Sequence, residues 1–151
     1  MLFSPKKLNL FLAVNLPSAF LCGVRVKLIN TERCCVSVRH KWINKNPFSS
    51  MFWAVQGMAA ELSTGALIIL KIKQLNQKIS MLVLRNEAQF TKKAKGRITF
   101  ECKQGISIDS ALKKAIETGQ GQTLILEAKG HDEAGDLVSK FSFEWTLKTK
   151  F

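Results

Sequence analysis

The clearest pattern of apolar and polar positions lies near the end of the chain. From Leu137 to Lys148, Phe141, Phe143, Trp145 and Leu147 alternate with Lys140, Ser142, Glu144, Thr146 and Lys148. Successive side chains of a strand point to opposite faces, so this run predicts a strand with one apolar and one polar face. Shorter alternations predict more strands. Val24, Val26 and Leu28 alternate with Arg25 and Lys27, and Cys34, Val36, Val38, His40 and Trp42 alternate with Ser37, Arg39 and Lys41. With Asn30-Thr-Glu-Arg33 as the turn, these two read as a hairpin. Ser80–Leu84 with Glu87–Thr91, Gly96–Lys103 and Thr123–Gly130 are further strands, and Asp132–Asp136 joins the last two.

Three segments carry a helical period instead. Pro5–Val14 predicts a short amphipathic helix; its Lys6-Lys7 start and apolar continuation also have the flavour of a signal peptide, but Asn9, Asn15 and Pro17 interrupt the apolar stretch. Ile108, Ala111, Leu112, Ala115 and Ile116 are spaced for an amphipathic helix that Gly119 stops. The third segment, between Lys45 and Lys71, is apolar on every face, with one charge, Glu61. Such a helix is either buried in a core or spans a membrane. Gln56, Glu61, Ser63 and Thr64 argue against lipid, where a mid-span carboxylate is costly. The expectation is a buried helix from about Ser49 to Lys71, capped by Ser49 or Ser50 after the loop Asn44–Pro47, with no membrane span. Gly57, Ala60, Gly65 and Ala66 would let a sheet approach it closely. Strands flanking one long helix make an α+β fold, an antiparallel sheet packed on a central helix.

Length and composition then set limits. At 151 residues the chain is read as one domain, 1–151, with residues 1–16 as an N-terminal arm. Hydrophobic residues make up 46% and charged residues 23%, which suits a globular core. The net charge of +12 has two readings: an anionic partner, or a solvated lysine-rich surface. No dense basic block or aromatic–basic reader motif favours nucleic acid. Cys22, Cys34, Cys35 and Cys102 make no Cys-x-x-Cys pair and fit no zinc or disulfide framework, so a reduced, cytoplasmic protein without metal is expected. His40 and His131 have no nucleophile elbow near them, and Gly119-Gln-Gly-Gln122 is not followed by the Lys-Ser/Thr of a phosphate loop.

Glu61 is the candidate for chemistry. A carboxylate on an apolar helix has a raised pKa by desolvation, which suits a general base near neutrality. The N-terminus of the same helix offers aligned N–H groups to an oxyanion. The alternative is a structural Glu61, satisfied by Ser or Thr hydroxyls or by a cation from a partner chain.

The element order, with Leu16-Pro-Ser-Ala-Phe-Leu-Cys-Gly-Val-Arg-Val26, Trp42-Ile-Asn-Lys-Asn46 and Met58-Ala-Ala-Glu-Leu-Ser-Thr-Gly65, resembles the hotdog fold of acyl-CoA thioesterases and dehydratases. Within it the chain resembles thioesterase-like proteins akin to those of the phenylacetate pathway, over roughly residues 17–148. In that family an Asn precedes the central helix, a His-Gly-Gly or similar segment opens it, and a carboxylate two turns further in acts as nucleophile or general base. Asn46 and Glu61 match the first and last; Phe52-Trp53-Ala54 stands where the family has its glycines. The resemblance implies an antiparallel sheet wrapped around one long helix, hydrolysis of a fatty or aryl acyl-CoA with Glu61 as catalytic residue, and Asn46, Ser50, Met51, Phe52, Trp53, Gln56 and Thr64 lining the substrate. It also implies a homodimer or dimer of dimers, and no cofactor beyond the CoA of the substrate. Its alternative is a hotdog protein that binds acyl groups or acyl-CoA without turnover.

Overall fold

The computed structural model describes residues 3–150. Six strands form one antiparallel sheet: β1 (Arg25–Ile29), β2 (Cys34–Arg39), β3 (Ile79–Phe90), β4 (Arg97–Cys102), β5 (Gln122–His131) and β6 (Leu137–Thr149), in the order β1-β2-β4-β5-β6-β3. The long helix α3 (Trp53–Leu75) lies across one face, with α1 (Pro5–Asn15) and α2 (Pro17–Leu21) before β1 and α4 (Gly105–Thr118) after β4. This is the hotdog fold.

The alternation read along β6 decides its placement. Phe141, Phe143, Trp145 and Leu147 are buried towards α3, as are Leu126 and Ala128 of β5, Ile98, Phe100 and Cys102 of β4, and Cys34, Val36 and Val38 of β2. The helix comes close because two of its residues lack a side chain. A Cβ at Gly65 would stand 3.4 Å from the Trp145 ring, and one at Gly57 would stand 3.5 Å from Phe141. Trp145 Nε1 donates to Thr64 Oγ1 at 3.0 Å, and Ser139 Oγ donates to Gln56 Oε1 at 2.7 Å. These buried polar side chains of helix and sheet are thus paired with one another, as burial demands. α3 is long and apolar enough to cross a membrane, yet it is the mostly buried core helix of this sheet.

The two ends of the sheet differ. At β1, Asn9 of α1 clasps the edge: its Nδ2 donates to Val26 O at 3.0 Å and its Oδ1 accepts from Val26 N at 2.8 Å. At the other end β3 pairs only with β6 among the described residues, which leave the outer edge of this twelve-residue strand open. Open edges of this length are templates for another strand.

Two expectations are corrected. The strand read through to Trp42 ends at Arg39, because His40 N donates to Gly96 O and the chain turns. A 3-10 turn, Trp42–Asn44, follows, closed by Lys41 N donating to Asn44 Oδ1, and it leaves Trp42 80% exposed. Neither Ser49 nor Ser50 caps α3; the cap position is Phe52, without a side-chain hydrogen bond, because Ser50 is held in the Asn46 loop. The single strand expected from Ser80–Leu84 with Glu87–Thr91 is present as β3, continuous through an irregularity between Val83 and Arg85. The helix ending at Gly119 is as expected, with that glycine in the left-handed conformation at φ 67°.

Candidate functional site

One stripe of α3 is left uncovered by the sheet. Ala54, Met58, Glu61, Leu62, Ile69 and Ile72 share it at helical spacing, all part-exposed apart from the exposed Glu61, and every one but Glu61 is apolar. Gly57 and Gly65 lie against Phe141 and Trp145 of β6, and the Met81 side chain of β3 reaches Gly65. The stripe therefore runs on the side of α3 nearest the open edge of the sheet.

Glu61 departs from the expectation of a buried carboxylate, for it is exposed. Among the described residues its carboxylate has no hydrogen-bond or ion-pair partner. The nearby hydroxyl of Thr64 donates to the Glu61 backbone carbonyl at 2.8 Å instead of to the side chain. Partial burial on this apolar stripe still raises the Glu61 pKa above the usual carboxylate value by desolvation. An unpartnered carboxylate with a raised pKa, beside apolar surface, can accept a proton from water.

Eight residues earlier the helix begins. Val55 N and Gln56 N both donate back to Phe52 O, whereas Trp53 N and Ala54 N have no partner among the described residues. These two N–H groups, at the positive end of the α3 dipole, are free to meet an anionic group. An eight-residue separation amounts to about 12 Å along the helix axis, shortened by the backward lean of the side chain. A water plus a carbonyl group spans such a gap within one protomer better than direct attack by the carboxylate does.

The loop before α3 is rigid. Asn46 Oδ1 accepts from Phe48 N at 2.9 Å and Ser50 N at 3.2 Å, while its Nδ2 donates to Ser50 Oγ at 3.0 Å and Met51 O at 3.3 Å. Asn46 thus spends its amide on its own loop, and Ser50 is buried with it. Met51, also buried, donates its N–H to Ala94 O, and Lys93 Nζ reaches Phe48 O at 3.1 Å, so the segment Thr91–Gly96 stands beside this loop. Phe52 and Trp53 are exposed, their rings edge to face at 6.1 Å.

Of the expected site residues, Glu61, Phe52 and Trp53 present side chains to solvent around the start and middle of α3. Asn46, Ser50 and Met51 shape the loop beneath them. Gln56 and Thr64 are buried on the sheet side, occupied by Ser139 and Trp145. Sequence reading missed Ser139 and the lysine-rich segment Thr91–Gly96, because strand pairing and loop packing bring them in from distant positions. Met58 and Leu62 belonged to the apolar run, but no period could say that they form part of the uncovered stripe.

Other chemistry has little to work with. Burial pushes the Cys34 thiol well up and the Cys102 thiol up to about 11, which keeps both protonated and poor as nucleophiles. Among the described residues, no group of three or more His, Cys, Asp and Glu could hold a metal ion. A hollow of about 280 Å³ between Arg85, Glu87, Glu127 and Glu144 lies on the outer, polar face of the sheet, away from Glu61.

Comparison with known proteins agrees with this architecture. The family model described as "Domain of unknown function (DUF4442)" matches residues 7–147. A Pseudomonas aeruginosa protein of unknown function, described as a probable thioesterase, superposes with a TM-score of 0.82 at 22% identity over 97% of both chains. A protein of unknown function from Chlorobaculum tepidum gives 0.82 at 17% identity over 97% of this chain and 94% of its own. A Haemophilus influenzae thioesterase gives 0.75 at 13% identity over 97% and 92%. These likenesses establish the shared fold. No curated protein matches the chain significantly.

Proposed function

Since the chain belongs to the DUF4442 family and has the hotdog fold seen in thioesterases, we propose that it hydrolyses a fatty or aryl acyl-CoA thioester, the aryl case following its likeness to the phenylacetate-pathway proteins. The observation that carries this reading is Glu61: unpartnered, with a raised pKa, on an apolar stripe two turns from a helix end with two unpaired N–H groups. In this reading Trp53 N–H and Ala54 N–H hold the thioester oxygen as negative charge develops on it. Glu61 takes a proton from the attacking water. The carbon–sulfur bond breaks, and CoA leaves as its thiol. The acyl chain lies along Met58 and Leu62, Phe52 and Trp53 border the entrance, and the Asn46–Met51 loop fixes the donors. Gln56 and Thr64 act from behind by holding α3 on the sheet. Lys93 and Lys95, beside that loop, would meet the CoA phosphates.

Two features support a homodimer as the working form. The open β3 edge invites a second β3, and the uncovered stripe of α3 beside it would be covered by the same event. Four free cysteines, two of them opposed as Cys34 and Cys102 on paired strands, support a cytoplasmic location.

A second reading is favoured by one observation. Phe52-Trp53-Ala54 puts a large exposed indole where the resembled family has small residues, and bulk beside the oxyanion donors would hinder a carbonyl. On that reading the protein binds acyl-CoA without turnover. A panel of acyl-CoAs of varied chain length, with released thiol followed by Ellman's reagent, is the test. Release of CoA establishes the enzyme; no release but a raised melting temperature with acyl-CoA selects the binder; neither result sinks both. Light scattering checks the dimer, and a monomer at micromolar concentration would refute it.

A further inference from the structure

The end of the molecule far from β3 carries a second exposed surface, joined to the start of α3 where Phe52 N donates to Asn44 O at 2.8 Å. α1 starts with Ser4 at its cap, where Ser4 Oγ accepts from Lys7 N, and Pro5 in its first turn. It is clasped to β1 by Asn9 and buries Leu12, but its outer side carries Lys6, Leu10 and Val14, with Leu10 68% and Val14 72% exposed. α2 follows directly and ends at Leu21, also exposed. The next residue joins this end to the 3-10 turn, because Asn44 Nδ2 donates to Cys22 O at 2.9 Å. That turn projects Trp42 and Ile43 into solvent between Lys41 and Lys45, and the Lys45 ammonium sits 5.9 Å from the centre of the Trp42 ring.

Charge is as uneven as the apolar exposure. The first sixty residues contain eight lysines and arginines and a single acid, Glu32. Clustered aliphatic side chains, an outward tryptophan and lysines whose stems lie on apolar surface form the combination that rests in the headgroup layer of a bilayer. The apolar tips gain burial among acyl chains, and the ammonium groups stay at the level of anionic headgroups. Nucleic acid would use the charge but leave the leucines, valine and isoleucine in water. The apolar residues stand outward on two helices and a turn instead of lining a groove, which fits a fluid surface better than a shaped protein partner.

We propose that the face formed by α1, the end of α2 and the Trp42–Asn44 turn docks this protein on an anionic lipid bilayer as a peripheral protein. The docking does not rest on the thioesterase reading. If both hold, the surface brings the site to where long-chain acyl groups partition.

The test uses the full chain in flotation with vesicles of phosphatidylcholine alone and of phosphatidylcholine mixed equally with phosphatidylglycerol. Binding is expected on the anionic vesicles only, and it should weaken as salt is raised. Lys41→Gln combined with Lys45→Gln should lower partitioning roughly thirtyfold. Trp42→Ser with Ile43→Ser should lower it roughly tenfold or more. Ile106→Ser, at a still more exposed isoleucine on α4, should change nothing. If the Trp42/Ile43 pair fails to fold, Leu10→Ser with Val14→Ser carries the same expectation. No flotation with anionic vesicles overturns the proposal. So does flotation that the apolar substitutions leave untouched, which would be charge adsorption alone. A change of oligomeric state in these variants overturns it too, by making the face an interface between copies.

Discussion

Thr64 and Trp145 lie eighty-one residues apart and meet where α3 crosses β6, with both side chains buried and Trp145 Nε1 donating to Thr64 Oγ1 at 3.0 Å. Thr64→Val keeps the shape of the side chain and removes the acceptor. The indole N–H is then left without a partner in a site that excludes water. A stranded buried donor costs about 1–3 kcal/mol. For a chain of this size, a loss of about 2 kcal/mol lowers the melting temperature by roughly 4–8 °C. Thr64→Ser keeps the hydroxyl and should recover most of the loss, less the small cost of a missing methyl. Trp145→Phe removes the donor, so adding Thr64→Val to it should cost much less than adding it to the native chain. Urea unfolding of the native chain, Thr64→Val, Trp145→Phe and the double variant measures the coupling directly, with Thr64→Ser as the control. Equal stability of the Val and Ser variants, or no coupling between the two sites, would refute the hydrogen bond as the link between helix and sheet. Because Thr64 faces the sheet, neither variant should alter acyl-CoA affinity by more than the change in folded fraction.

Two further predictions concern charge. Lys71, buried at the end of α3, reaches Asp109 Oδ2 of α4 at 2.7 Å. Asp109→Asn should cost about 1–2 kcal/mol in urea unfolding, a figure held down by the half-exposed aspartate, while Lys71→Met removes the burial cost with the charge and should fall within about 1 kcal/mol of native. The raised pKa of Glu61 gives a signed pH dependence. Hydrolysis needs the carboxylate, so the rate should climb with pH through a midpoint above that of an ordinary glutamate. In stability the sign is opposite: between its unfolded and folded pKa values the native chain holds the extra proton, so ionising Glu61 costs stability as pH rises. Denaturation of native protein and Glu61→Gln across that range should show the variant gaining relative stability towards higher pH.

Much of the fold is legible in the sequence because burial is written as a period. Phe141 to Leu147 and Ile98 to Cys102 occupy the inner face of the sheet as their alternation predicts, and Gly119 ends α4. The misread elements are those where a side chain redirects the backbone. Alternation continues through His40 and Trp42, but Asn44 turns the chain through its contacts with Lys41, Cys22 and Arg39. Ser50 has the chemistry of a helix cap, but the Asn46 amide claims it. Glu61 is readable as the single charge of an apolar helix; its exposure is not, because helical period alone cannot say which stripe a sheet leaves open. The partners of Gln56 and Thr64 come from β6, so their supporting role needed the register of that strand.

The central claim is that Glu61 activates water against a thioester held at the start of α3. Glu61→Gln tests it most directly, since the amide keeps size and polarity and loses the base. The measurement is acyl-CoA hydrolysis by native and variant protein, with ligand affinity from thermal shift on the same samples. The account predicts a fall in rate of about 10²–10⁴-fold, typical of a missing general base, with affinity nearly unchanged. A variant that hydrolyses acyl-CoA at the native rate would contradict it.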